Sequence, residues 1–189
     1  MENFYPCLFI MNDYEESDGI LLYVSYYRFL SEKSHIYYIV RIEVYKDHVY
    51  GVKFFTKQML NSVKKYSHLT NTYEPRTILY SIFKLMLDIH AKDNLASFMF
   101  IGNADEDGDQ ENTRRYRLYC NIISNIISDK FFKHLRSSKY SLYILANRLK
   151  MSDSPFFGEE LLEQFIQRLI QEEPEHPNLQ FGWRISRLS

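Results

Sequence analysis

Polar and apolar positions alternate along 36–45. Tyr38, Val40, Ile42 and Val44 fall on one side, and Arg41, Glu43 and Tyr45 on the other. A period of two is the signature of a strand. Three neighbouring segments read the same way: Cys7 to Met11, Gly19 to Phe29, and Val49 to Thr56 after the turn Lys46-Asp47-His48. Closely spaced strands joined by short turns predict an antiparallel meander. The pattern then breaks, and 61–74 is polar and irregular. From Pro75, a residue favoured in the first helical turn, Ile78, Ile82, Leu85, Met86 and Ile89 recur at helical spacing, with Leu79 and Phe83 widening the stripe. A helix laid against the sheet is expected. Ala96 to Ile101 is a compact buried strand ended by Gly102.

A second helix is expected from Asn112, a good N-cap type, with Tyr116, Tyr119, Cys120, Ile123 and Ile127 on its apolar face. Asp129 to Arg136 reads as a further helical turn or two, and Tyr140 to Ala146 as a strand. Gly158 to Gln171 is a clean amphipathic helix carrying Leu161, Leu162, Phe165, Ile166, Leu169 and Ile170 on one side. Strands first, then alternating strands and helices, predict an α/β (α+β) fold. Its sheet is mixed and largely antiparallel, with helices on its faces. The chain of 189 residues suits one domain over 1–173 with a C-terminal tail over 174–189, which Phe181 and Trp183 could dock.

From the third strand onward this order resembles the core of the GNAT acyltransferase superfamily. There an antiparallel meander leads to a helix, a strand, a second helix and a closing strand. Asn112, Leu118 and Tyr119 also stand in register with Asn-x-x-Ala-x-x-Leu-Tyr, a motif that many GNAT proteins carry on the second helix. The resemblance implies acetyl-CoA as cofactor. It also implies Tyr119 as the general acid that protonates the leaving thiolate of coenzyme A. Two positions depart from the family pattern. The stretch 61–74 has no glycine where the family grips phosphate with a Gly-rich turn, and Arg115 stands at the small Ala position. The chain is also similar to a family of uncharacterised small bacterial proteins through Leu69-Thr70-Asn71, Arg76-Thr77-Ile78, Ala96 to Gly102, Asn112 to Arg117 and Ala146-Asn147-Arg148. That similarity implies no activity.

Composition narrows the function classes. Net charge is −1, so no global field attracts nucleic acid. Cys7 and Cys120 are far apart and in no metal-like spacing, which fits a reducing compartment and no zinc site. No basic region followed by an apolar stretch opens the chain, and no run of about 18 apolar residues occurs. A cytoplasmic protein with no membrane association is expected.

Local clusters carry the remaining chemistry. Arg114, Arg115 and Arg117 open the second helix, whose N-terminus is itself positive, so a phosphate or carboxylate could bind there. Arg114, Arg117 and Asn121 share a polar face by helical spacing. The bland alternative is that the acidic loop 103–111 neutralises these arginines. That loop matches early positions of a calcium loop, with Asn103, Asp105, Asp107, Gly108, Asp109 and Glu111. Arg114 replaces the closing Glu, so solvated charge is expected there and no metal. Lys64, Lys65, His68 and Arg76, interleaved with Tyr66 and Tyr73, make a small basic region best read as a solvated loop. Cys120 reads as a small buried hydrophobe, and Asp88 and His90 do not share a helix face.

No complete catalytic constellation emerges, and 16 Tyr with 14 Phe suit a binding surface. These features point to a non-catalytic interaction or regulatory module with a protein partner and no cofactor. Self-association through the last helix is an open alternative. Two rivals remain: an acyltransferase using acetyl-CoA through Tyr119, and a phosphate or nucleic-acid binder through Arg114, Arg115, Arg117 and Asn121.

Overall fold

The computed structural model describes residues 3–15, 17, 19–62, 64–66, 74–104 and 109–172. The expected tail over 174–189, with Phe181 and Trp183, lies outside them. Seven strands form one sheet: β1 (Leu8–Asp13), β2 (Leu21–Leu30), β3 (Tyr37–Tyr45), β4 (Val49–Thr56), β5 (Ser97–Ile101), β6 (Phe132–Ser137) and β7 (Leu142–Asn147). Four α-helices accompany it: α1 (Pro75–Lys92), α2 (Arg114–Ile126), α3 (Arg148–Asp153) and α4 (Phe157–Glu172). The spatial order is β1-β2-β3-β4-β5-β7-β6. Every neighbouring pair is antiparallel except β4 and β5, which run parallel because α1 carries the chain back between them. The fold is therefore α+β, with a mixed and mostly antiparallel sheet.

The meander follows from turn chemistry. Asp47 and His48 adopt positive φ of 59° and 63°, which reverses the chain tightly enough for Tyr45 to face Val49. Both faces of the sheet are covered, so both sets of alternating residues on β3 are buried. Tyr38, Val40, Ile42 and Val44 pack under α1 and α2 with Ile82, Phe83, Phe100 and Ile123. Ile39 and Tyr45 pack on the other face with Met99, Ile144, and Leu161 and Phe165 of α4. Each such large apolar side chain contributes roughly 1.5–3 kcal/mol by leaving water. The last helix thus serves as core through Leu161 and Phe165, while Ile170 at its far end is exposed.

Arg41 and Glu43 share the α4 face of β3 and are 0% and 2% exposed. Arg41 donates from Nε to Glu43 Oε1 (3.1 Å) and from a terminal nitrogen to the Tyr26 hydroxyl (2.9 Å). Lys53 Nζ also donates to Glu43 Oε1 (2.7 Å), and the Tyr45 hydroxyl to Oε2 (2.9 Å). Three donors on a dry carboxylate hold its pKa down to about 2. Burial alone pushes upward, and the positive charges of Lys53 and Arg41 overcome it. Gly51 makes room: a Cβ there would come within 3.0 Å of Glu43 Oε2.

Two local expectations are corrected, and one helix that the sequence pattern did not predict is added. Asp129 to Arg136 contains strand β6 rather than helical turns, because Phe132 to Ser137 pair along β7. The N-cap of α2 is Thr113, one residue past Asn112. Helix α3, capped by Asn147, which accepts from Leu149 N, lies between β7 and α4. No helix among the described residues is long and apolar enough to cross a membrane.

Candidate functional site

Pairing between β4 and β5 runs from Val49–Ser97 to Val52–Phe100 and stops there. Beyond it β4 continues to Thr56 while β5 ends at Ile101. The two parallel strands part at their carboxyl ends, the position where open sheets receive ligands. A cleft of about 520 Å³ opens in this gap. That size suits a small molecule.

Helix α2 overhangs the cleft because its first turn is pinned to the sheet. Thr113 Oγ1 donates to Gly102 O (2.6 Å) and accepts from Tyr116 N (3.1 Å), while Thr113 N donates to Ser141 Oγ (2.9 Å). Ser141 Oγ in turn donates to Gln110 O (2.7 Å). Glycine is required at 102, since a Cβ would lie 2.5 Å from the Tyr116 nitrogen. This anchor brings Arg114, Arg115, Arg117, Asn121 and Tyr119 to one wall of the cleft. The arginines and Asn121 of the phosphate reading and the Tyr119 of the acyltransferase reading thus converge on it.

Their individual settings differ. Arg117 donates to Asn112 O at the helix start. Arg114 is exposed and makes no hydrogen bond or ion pair among the described residues. Neutralisation by Asp105 and Asp107 falls outside the described residues, as does the centre of the calcium-like loop. Of that loop, Asp109 Oδ1 accepts from the Glu111 nitrogen. Tyr119 is 6% exposed, with its ring against Phe54 and Phe100 (centroids 6.4 and 5.8 Å). Burial pushes its phenol up to about 12, with Arg115 pulling the other way. The hydroxyl therefore keeps its proton at neutral pH and can donate it.

The opposite wall adds residues that sequence reasoning missed or misread. Thr56, 4% exposed, lines the cleft, and its Oγ1 has no hydrogen-bond partner among the described residues. Lys53 lines it too, with its ammonium on Glu43. Lys65 was expected in a solvated loop, yet it is 4% exposed, with Nζ 5.2 Å from the Phe55 ring centre and 5.3 Å from that of Tyr66. His68 and Tyr73 of the same stretch lie outside the described residues, and Lys64 and Arg76 are exposed. Among the described lining residues there are five cations, Lys53, Lys65, Arg114, Arg115 and Arg117, and no carboxylate. The rest of the lining is mostly apolar, including Val52, Ile78, Leu79 and Leu118.

Other polar clusters sit elsewhere. At the far end of β4, His48 Nδ1 and the Tyr50 hydroxyl both meet Asp93 (2.8 and 2.7 Å), tying β4 to the end of α1. Asp88 pairs with Lys84 one helical turn away (2.6 Å). Burial pushes the Cys7 thiol up to about 12, leaving it protonated and unreactive.

The chain matches no known family model, and nothing among the curated proteins or the solved structures matches it either.

Proposed function

We propose that this protein binds a phosphate-bearing small molecule in the cleft between the diverging ends of β4 and β5. The observation that carries this reading is one convergence. Arg114, Arg115 and Arg117 at a helix N-terminus face a cleft that also holds the buried, unpartnered Thr56 Oγ1. A buried hydroxyl without a partner costs about 1–3 kcal/mol, which a ligand oxygen would offset. Guanidinium groups and the first-turn N–H groups of a helix are suited to phosphate oxygens. The walls are apolar side chains rather than an exposed aromatic track, which fits a small molecule better than a nucleic-acid strand. For the same reason this reading has more support than the macromolecular interaction module expected from the sequence.

A second reading, an acyltransferase using acetyl-CoA, is favoured by the protonated Tyr119 phenol in the cleft wall. In it Tyr119 gives its proton to the departing thiolate as the acyl group moves to an acceptor.

Titrating inorganic phosphate and acetyl-CoA separately into wild-type and Arg114→Ala protein, while following the melting temperature, tests both. Ligand at a hundred times its Kd stabilises by about 2.7 kcal/mol, a rise of about 5–10 °C for a chain of this size. A saturable rise with phosphate, weakened by Arg114→Ala, is expected. If phosphate shifts wild type and variant alike, the rise is a general salt effect and the proposal fails. A rise with acetyl-CoA calls for Tyr119→Phe, which should then slow acetyl transfer.

A further inference from the structure

On the side of the cleft that α1 and α2 cover, the lining is apolar. Val52, Ile78, Leu79 and Tyr119 belong to the core beneath these helices, and Phe54 and Leu118 pack against it. Thr56 points to the same side, since it pairs with Tyr38 of that core. In this half, Thr56 Oγ1 and the Tyr119 hydroxyl have no hydrogen-bond partner among the described residues. They stand at different depths. Thr56 closes β4 at its carboxyl end, and the exposed Arg114 opens α2. The Tyr119 ring meets Phe54, one strand repeat back from Thr56. Two rulers give the separation. Arg114 to Tyr119 is five residues of helix, about 7.5 Å. Thr56 to Phe54 is two residues of strand, about 7 Å.

We infer that the ligand is an aromatic phosphate ester whose ring carries a neutral hydrogen-bond acceptor opposite the phosphate, and that Tyr119 donates to this acceptor. The inference rests on the phosphate-binding reading above and names the class of molecule. With the phosphate held by Arg114 and Thr56, the body of the ligand lies along Phe54 toward Tyr119. The separation of about 7 Å is the reach of one ring substituted at opposite ends. A flat ring presents apolar faces to Ile78, Leu79 and Leu118, and packs favourably beside the rings of Phe54 and Tyr119. A sugar phosphate would bring several hydroxyls into this half, and those beyond the reach of Thr56 and Tyr119 would lose their bonds to water. An alkyl phosphate would leave the Tyr119 hydroxyl unmet. Burial keeps the phenol protonated, so its counterpart is an acceptor. The apolar lining favours an uncharged one, a carbonyl or a ring nitrogen.

Phenyl phosphate, 4-acetylphenyl phosphate and ribose 5-phosphate are the probes, titrated calorimetrically into wild-type, Tyr119→Phe and Arg114→Ala protein. Wild type should bind the acetylated compound about tenfold more tightly than phenyl phosphate, the size of one hydrogen bond. Ribose 5-phosphate should bind more weakly than either. Tyr119→Phe should abolish the preference for the acetyl group and leave phenyl phosphate binding unchanged, whereas Arg114→Ala should weaken all three probes. Equal binding of the two aryl phosphates by wild type overturns the inference and leaves the phosphate reading standing, and this comparison needs no variant. A preference that survives in Tyr119→Phe, or ribose 5-phosphate binding more tightly than both aryl phosphates, also overturns it. Failure of all three probes to bind, or binding that Arg114→Ala leaves unchanged, overturns the phosphate reading and this inference together.

Discussion

Glu43→Gln removes the negative charge that Arg41 and Lys53 share in a largely buried cluster. Arg41 is fully enclosed and Lys53 mostly so, and both lose their ion pair with this carboxylate. Breaking a buried pair in this way costs about 3–5 kcal/mol. A second route gives a similar figure. Holding the Glu43 carboxyl at about 2 against its ordinary 4.5 is worth about 3 kcal/mol. The fold favours the ionised form, so this stabilisation is complete above about pH 5 and disappears as pH falls toward 2. Urea unfolding followed by circular dichroism, at pH 7 and then stepwise to pH 2, reads both effects. The variant should be about 3 kcal/mol less stable at pH 7. The gap to wild type should close on acidification, because only wild type has this carboxyl to protonate. Domains of this size have about 5–15 kcal/mol in hand, so the variant remains foldable. A loss under 1 kcal/mol at pH 7, or a gap that stays constant down to pH 2, would refute the reasoning.

Three further outcomes are expected. Thr56→Val replaces an unpartnered buried hydroxyl with a methyl group, so it should raise stability by about 1 kcal/mol in urea unfolding while weakening phosphate binding; unchanged binding would separate Thr56 from the ligand. Gly102→Ala drives a Cβ into the Tyr116 backbone and should cost about 3 kcal/mol or more, with phosphate binding lost as α2 lifts; a melting temperature within 2 °C of wild type, roughly under 1 kcal/mol, would count against the anchoring role of this contact. Tyr119→Phe removes a hydroxyl with no hydrogen bond among the described residues, so stability should stay within about 0.5 kcal/mol. A larger loss in melting would mean that the hydroxyl supports the fold rather than facing the cleft.

Strands were legible where alternation is regular. Val49 to Thr56 coincides with β4 at both ends, and Pro75 marks the start of α1. Strand β6 was not legible, because Lys133, His134 and Arg136 give an edge strand too little apolar alternation, and its identity comes from pairing with β7. Arg114, Arg115, Arg117 and Tyr119 could be gathered from sequence because they sit on one short helix. Thr56, Lys53 and Lys65 could not. They reach the cleft only because β4 pairs with β5 across the whole of α1, and no local pattern encodes where that pairing stops. The burial of Arg41 and Glu43 was hidden for a related reason: alternation shows that two faces exist, not that α4 covers the second.

The parallel contact is also a seam. On one side, β1 to β4 are joined by consecutive hairpins; on the other, β5, β6 and β7 form their own antiparallel block. Between Val49–Ser97 and Val52–Phe100, only four residue pairs stitch the blocks together. Such a sheet can assemble as two quickly formed halves whose union closes a long chain loop and so comes late. A molecule lodged in the unstitched end would touch both halves at once. It would act as a clasp, slowing their separation and making the two blocks melt as one.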